Sequence, residues 1–258
     1  MAELPEIVVI SLARATERRT SIQRQFAELN VPFRFFDAVD GKKGHALFDH
    51  YDADKAKRIG EIPLSAGHLG CYASHYLVWQ RCVESGQPIV VLEDDAMLFA
   101  KPFLRFLNLA PDLPAGIECV RLFESKSRNR DSLNVLEIGG LTIAKFLRGH
   151  KSATGYYLTP SAARKFLKYG ERWAEPVDIE MDQFWANGVE CYGVVEPCLT
   201  HNPEFESGID TGIDTGKVRR GLMRLRWRWY LLKGKLARNI HNLIFTIRSV
   251  AESRKMRR

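Results

Sequence analysis

Two short apolar runs, Ile7 to Leu12 (IVVISL) and Ile89 to Leu92 (IVVL), constrain the fold more than any other feature. Both are rich in β-branched residues, which marks strands covered on both faces. Such strands need helices above and below them, and the intervening sequence supplies these. Thr16 is placed to cap a helix with an Ile22, Phe26, Leu29 stripe; Asn30-Val31-Pro32 ends it before a second strand, Phe33 to Phe36. Ser65 caps another helix, with Leu69, Tyr72, Tyr76, Trp79 and Val83 at steps of 3, 4, 3 and 4, stopped near Gly86 and Pro88 just ahead of Ile89. This alternation predicts an α/β fold with a parallel sheet.

Past the third strand the pattern becomes mixed. Cys119 to Phe123 is strand-like, and Val135 to Leu147 reads as a hairpin about Gly139-Gly140, a dipeptide that permits the positive φ of a tight turn. Thr159-Pro160 opens a helix that runs to Gly170. A last helix at about Asp178 to Asn187 and a strand at about Cys191 to Val195 complete a mixed sheet flanked by helices. The near-repeat Gly208 to Gly216 is rich in turn formers and reads as a linker between a domain, residues 1–207, and a tail, residues 217–258.

Charge divides the chain at the same place. The tail holds 14 Lys and Arg against the single acid Glu252, whereas the first 216 residues carry 24 basic and 30 acidic residues. Leu222, Leu225, Trp229, Leu232, Leu236, Ile240, Leu243, Ile247 and Val250 recur at helical steps, with most of the tail's Arg and Lys off that stripe. The longest uncharged run there, Asn239 to Ile247, is nine residues, too short to span a bilayer. We expect a peripheral amphipathic helix on anionic lipid. The competing reading is a stripe that packs on the domain, with Gly234 breaking the helix into two. Nucleic acid is not an expected partner, because the domain is acidic. Ile62 to Gln80 has 19 residues without formal charge but contains Pro63, His68 and His75, and reads as an amphipathic helix. The acidic start lacks the marks of a secretory signal, and five cysteines without a C-x-x-C pair read as reduced thiols. The expected location is cytoplasmic, at the inner face of the plasma membrane.

Glu93-Asp94-Asp95 directly follows a buried strand, at the carboxyl end where open α/β sheets gather ligands. Adjacent carboxylates repel unless a cation sits among them, and Mg²⁺ or Mn²⁺ would share their oxygens with a diphosphate. The plainer reading is a solvated strand end. Ser11, Arg14 and Arg18 lie where the first strand enters the first helix, a natural seat for phosphate. No G-x-G-x-x-G or P-loop motif is present, and the first glycine is Gly41, which removes support for dinucleotide oxidoreductases and P-loop NTPases. Asp178 and Asp182, four apart, would share a helix face, where one is a candidate general base; Asp178 alternatively caps the helix. His201 is a candidate third metal ligand.

Together, the segments IVVISLARATERR, FFDAVDG, LSAGHLGCYASHYLVW, VVLEDDA, ATGYYLTPSAARKFL and PVDIEMDQFW resemble glycosyltransferase family 25 over roughly residues 6–202. The resemblance implies a GT-A type Rossmann-like sheet, an inverting mechanism, and a UDP-sugar donor, most often UDP-galactose. It also implies a saccharide acceptor on a cell-surface glycolipid (lipooligosaccharide or LPS core). It makes Glu93, Asp94 and Asp95 the DxD-like acids. Glu93 departs from a strict D-x-D, and Asp95 is favoured as the metal contact, with Glu93 and His201. Arg14 and Arg18 would face the nucleotide, with Asp37 as a ribose or base contact. A metal-dependent phosphohydrolase and a non-catalytic membrane-binding module are the rival readings.

Overall fold

A computed structural model describes residues 4–123, 131–205 and 221–256. In chain order, the first half contains β1 (Glu6–Ser11), α1 (Thr16–Leu29), β2 (Arg34–Asp37), α2 (Ala53–Ile59), α3 (Ala66–Ser85), β3 (Ile89–Glu93), β4 (Ala96–Leu98) and α4 (Ala100–Leu109). Then come β5 (Cys119–Arg121), β6 (Ser132–Ile138), β7 (Leu141–Phe146), β8 (Gly155–Leu158), α5 (Pro160–Tyr169), α6 (Val177–Met181), α7 (Phe184–Asn187), β9 (Tyr192–Val194), β10 (Leu199–His201) and the long α8 (Gly221–Met256). Among the described residues, eight strands form one mixed sheet in the order β2-β1-β3-β8-β5-β9-β7-β6, and β10 pairs with β4 in a separate ribbon.

The two apolar runs behave as their composition demands. Ile89 to Leu92 are fully buried. Alternate residues face opposite layers. Ile7, Val9, Val90 and Leu92 join Phe26, Phe103 and Phe106 beneath α1 and α4. Val8, Ile10, Ile89 and Val91 meet Tyr72, Trp79 and Phe166 from α3 and α5. Only β2, β1 and β3 form the expected parallel block; β8 then runs antiparallel to β3. That reversal places the start of β8 beside the end of β3, which matters for the site below.

Several local expectations hold in detail. Ser65 caps α3 by accepting from the His68 N–H, Thr159 caps α5 by accepting from Ala162, and Gly86 ends α3 at φ 66°. Gly139 and Gly140 turn the β6–β7 hairpin at φ 52° and 77°. Others need correction. Thr16 begins α1 rather than capping it; Ala15 occupies the cap position and no side chain bonds there. The helix expected over Asp178 to Asn187 is two short helices, α6 and α7, because Asp182 ends the first and turns its carboxylate inward. The 208–216 linker lies outside the described residues. Within the tail, α8 runs unbroken through Gly234, whose bare Cα faces Trp185.

Candidate active site

Strand register brings the site residues to one edge. Ser11 at the end of β1 lies beside Asp37 at the end of β2, and Ile10 lies beside Glu93 at the end of β3. The chain then turns through Asp94 and Asp95 into β4. Ribbon pairing sets His201 of β10 opposite Ala96, and the Asn202 N–H donates to the Asp95 carbonyl at 2.8 Å, so Asp95 and His201 become neighbours from distant parts of the chain.

The three acids diverge. Glu93 turns toward α3: its Oε1 lies 3.4 Å from His75 Nε2 and 3.8 Å from Cys71 Sγ, and its Oε2 accepts from Thr154 Oγ1 at 3.0 Å. Burial opposes its ionisation, but the hydrogen bonds from His75 and Thr154 outweigh burial and hold the carboxyl below its ordinary range. Asp94 turns toward α1, accepting from Ser11 Oγ at 2.7 Å and Arg18 Nη1 at 2.9 Å; burial nevertheless raises its pKa. Asp95 turns toward His201, with Oδ2 and Nδ1 3.7 Å apart, while its Oδ1 is shielded from solvent and has no hydrogen-bond partner among the described residues.

A buried carboxylate oxygen without a partner is costly unless something occupies its lone pairs. A hard divalent cation fits that position, with the His201 ring within reach to complete part of its shell. A second cluster has different chemistry. Cys71 and His75, one turn apart on α3, offer Sγ and Nε2 to the same space as Glu93, with the three ligand atoms within 4.8 Å of one another. Its thiol suits Zn²⁺ rather than Mg²⁺. The other ring nitrogen of His75 lies 2.8 Å from Tyr156 Oη, which also accepts from Trp79 Nε1, so the ring orientation is fixed.

Asp178 and Asp182 lie within one turn but meet different surroundings. Asp182 is buried, paired with Arg121 at 3.1 Å, and its Oδ2 accepts from the Lys151 N–H at 2.6 Å beneath Gly149. Asp178 is half-buried and belongs to the first turn of α6. Burial, then the negative charges of Asp182 and Glu93, push its carboxyl up to about 6 against the pull of Arg121. A carboxylate with that affinity for a proton suits general-base chemistry near neutral pH.

Around the start of α1, Arg14 is exposed and pairs with Asp40, while Asp37 pairs with Arg19. Arg19 also donates to the Ser11 carbonyl at 2.9 Å and to Ser11 Oγ at 3.2 Å, which locks the end of β1 to α1. Arg18 lies 5.4 Å from the centroid of the Phe205 ring. Cys71, His75, Thr154 and Arg121 are not among the site residues that the sequence marks. The four-residue step from Cys71 to His75 is a usable signal; Thr154 sits just ahead of β8, a strand of four residues too short to stand out in the sequence.

The chain matches the sequence profile described as Glycosyltransferase family 25 (LPS biosynthesis protein) over residues 4–181. It is 37% identical over 92 residues to the lipooligosaccharide biosynthesis protein lic2B of Haemophilus influenzae, covering 35% of this chain and 33% of that protein. Over 189 residues it is 26% identical to the lacto-N-neotetraose biosynthesis glycosyltransferase LgtB of Neisseria gonorrhoeae, 67% of this chain and 65% of the relative. A mouse relative, 28% identical over 172 residues (63% of this chain and 28% of that protein), is named an inactive glycosyltransferase 25 family member 3. The chain thus spans about a third of the first of these relatives and just under two thirds of the second.

Proposed function

From the premise that this chain belongs to glycosyltransferase family 25, we propose that it is an active, inverting hexosyltransferase. Its donor is a UDP-sugar, most consistent with UDP-galactose, and its acceptor is a saccharide of a cell-surface glycolipid of the lipooligosaccharide or LPS-core type. The observation that carries the reading is the family match over residues 4–181, to which Asp178 adds a half-buried carboxyl whose proton affinity is raised by burial and by the charge of Asp182.

In this mechanism an acceptor hydroxyl attacks the anomeric carbon of the donor from the face opposite the leaving group. The new C–O bond forms as the bond to the UDP oxygen breaks, and Asp178 takes the hydroxyl proton. Asp182, fixed by Arg121 and the Lys151 N–H, raises the proton affinity of Asp178 through its negative charge. Asp95 and His201 would hold Mn²⁺ or Mg²⁺, with Glu93 as a neighbouring carboxylate. That ion, when bound, offsets the charge growing on the departing diphosphate. Arg18, Ser11 and Asp94 form the wall against which the nucleotide lies, with Arg14 and Asp37 at its outer margin.

Such an enzyme works where its acceptor is, and the basic residues 217–258 support a place on the inner face of the plasma membrane. Incubation with a panel of UDP-sugars, Mn²⁺ and a lipooligosaccharide acceptor, with UDP release measured, tests the reading. Acceptor-dependent UDP release supports transfer. Release of phosphate from simple esters, or no turnover of any donor, overturns it.

A further inference from the structure

The tail helix presents two stripes, and the one that docks on the domain is not the apolar one. Met223, Trp227, Tyr230, Gly234, Arg238, His241 and Phe245 are half-buried, at steps of 4, 3, 4, 4, 3 and 4. Their contacts are specific. The backbone around Met223 and Trp227 lies so close to Gly60 that a Cβ there would sit 2.5 Å from the Met223 carbonyl oxygen. Tyr230 donates to Glu175 and accepts from Gln183 at 3.1 Å. His241 lies 2.6 Å from Glu190, Asn242 donates to the Leu147 carbonyl at 3.0 Å, and Phe245 packs on the sheet layer beneath α4.

Leu222, Leu225, Trp229, Leu232, Leu236, Ile240, Leu243 and Ile247 occupy the opposite side, each between 51% and 64% exposed. At 3.6 residues per turn these two stripes are separated by about half a turn of the helix. An apolar strip of this size facing water marks an interaction surface. Helical projection sets Arg226 and Lys233 along one border of the strip and Arg224, Arg228 and Lys235 along the other, all exposed. Exposed Trp229 adds an amphipathic ring suited to an interface.

We propose that the outer face of α8 is a preformed, in-plane membrane-binding surface for anionic lipid, the apolar strip entering the acyl boundary and its two cationic borders meeting headgroups. This rests on the reading of the chain as a membrane-surface enzyme and deepens it by naming the lipid-contacting face and its state before binding. Charge complementarity selects this occupant. A second copy of the helix would bring cationic borders against cationic borders, and a nucleic acid has no use for an apolar strip. The helix is already folded against the domain through its other side, so binding requires no coil-to-helix transition. Each basic residue near an anionic surface strengthens binding on the order of fivefold.

The test uses the full chain with vesicles of phosphatidylcholine alone or with 30% phosphatidylglycerol, without donor or acceptor, so its outcome is independent of catalysis. The wild type should sediment with the anionic vesicles, release on adding salt, and keep its free-state helix content by circular dichroism. Brominated lipid should quench Trp229, a signal absent from Trp229→Phe. Joint Leu225→Glu, Leu236→Glu and Leu243→Glu changes should lower binding by more than tenfold at unchanged melting temperature and unchanged UDP-sugar binding. Equal binding by that variant, absence of wild-type binding, helix content that rises on lipid, or a wild-type dimer that this variant dissolves into monomers would each overturn the proposal. Lost vesicle binding with intact transfer to a lipid-free saccharide separates failure here from failure of the catalytic reading.

Discussion

Replacement of Asp178 by Asn removes a charge while keeping shape and hydrogen-bonding capacity, and the surroundings of Asp178 set two opposite expectations for it. As the general base it should be missed: kcat falls by at least ~10²-fold with donor affinity nearly intact. As a half-buried carboxylate near Glu93 and Asp182 it should not be missed by the fold. Its carboxyl stands at about 6 instead of the ordinary 3.8, which disfavours the ionised form by about 3 kcal/mol at full burial. Residual exposure reduces this to about 1–2 kcal/mol. The sign follows from linkage: a raised carboxyl contributes its stability at low pH and loses it as pH rises from the unfolded value through about 6. At pH 7.5 in chelator, Asp178→Asn should therefore melt about 2–6 °C higher than the wild type, a gain that fades toward pH 4. Differential scanning fluorimetry and UDP-release kinetics measure both halves. Wild-type kcat/KM should fall about tenfold per pH unit below about 6 and level off above it. Asp182→Asn should instead lower the melting temperature, because it breaks the buried pair with Arg121. An Asp178→Asn enzyme within tenfold of wild-type kcat, or one that melts lower, refutes the assignment.

Three further outcomes follow from other parts of the structure. Asp95→Asn should abolish transfer and weaken metal-dependent UDP-sugar binding, with EDTA producing the same loss in the wild type and His201→Ala a smaller one; full activity of Asp95→Asn in chelator removes the cation from the scheme. Zn²⁺ should inhibit by occupying Cys71, His75 and Glu93, and Cys71→Ser should raise the inhibitory concentration at least ~tenfold; an unchanged inhibition curve places zinc elsewhere. Gly70→Ala should cost about 1–3 kcal/mol in chemical denaturation, because the added Cβ would lie 2.6 Å from the Val39 carbonyl oxygen and 2.7 Å from the Gly41 nitrogen, neither of which can swing aside.

The parallel block was legible because its physics is local. Runs such as Ile89 to Leu92 admit few alternatives, and the stops at Asn30 and Gly86 carry their own conformational signatures. The antiparallel half was less so. Gly155 to Leu158 is four buried residues next to a strong helix start, and nothing in that short run announces that it pairs with β3. The site divides the same way. The acidic end of β3 stood out in one dimension, whereas the opposite fates of Asp178 and Asp182 depend on Arg121, some sixty residues away on β5. For the tail, helical spacing revealed the apolar stripe but not the side it faces. The mixed stripe that docks needs partners, and Glu175, Gln183 and Glu190 sit in the connections around α6 and α7, where nothing in the sequence marks them for that role.

Those same partners make α8 a tie-beam rather than an attachment. Tyr230 grips Glu175 and Gln183 on either side of α6, while Tyr72 holds Glu180 from within at 2.6 Å, so the turn carrying Asp178 is braced from two directions. Farther along, His241 shares Glu190 with the buried Lys145. A chain shortened before α8 would leave Glu175, already pushed up to about 7 by burial, without its phenol, and would strip the outer brace from α6. Hydrogen exchange across residues 175–183 should then quicken in the shortened chain, and a loss of turnover there would report slack beneath Asp178 even in a reaction with no membrane in it. With α8 present, that brace stays taut while the apolar residues on the opposite side of the same helix remain exposed.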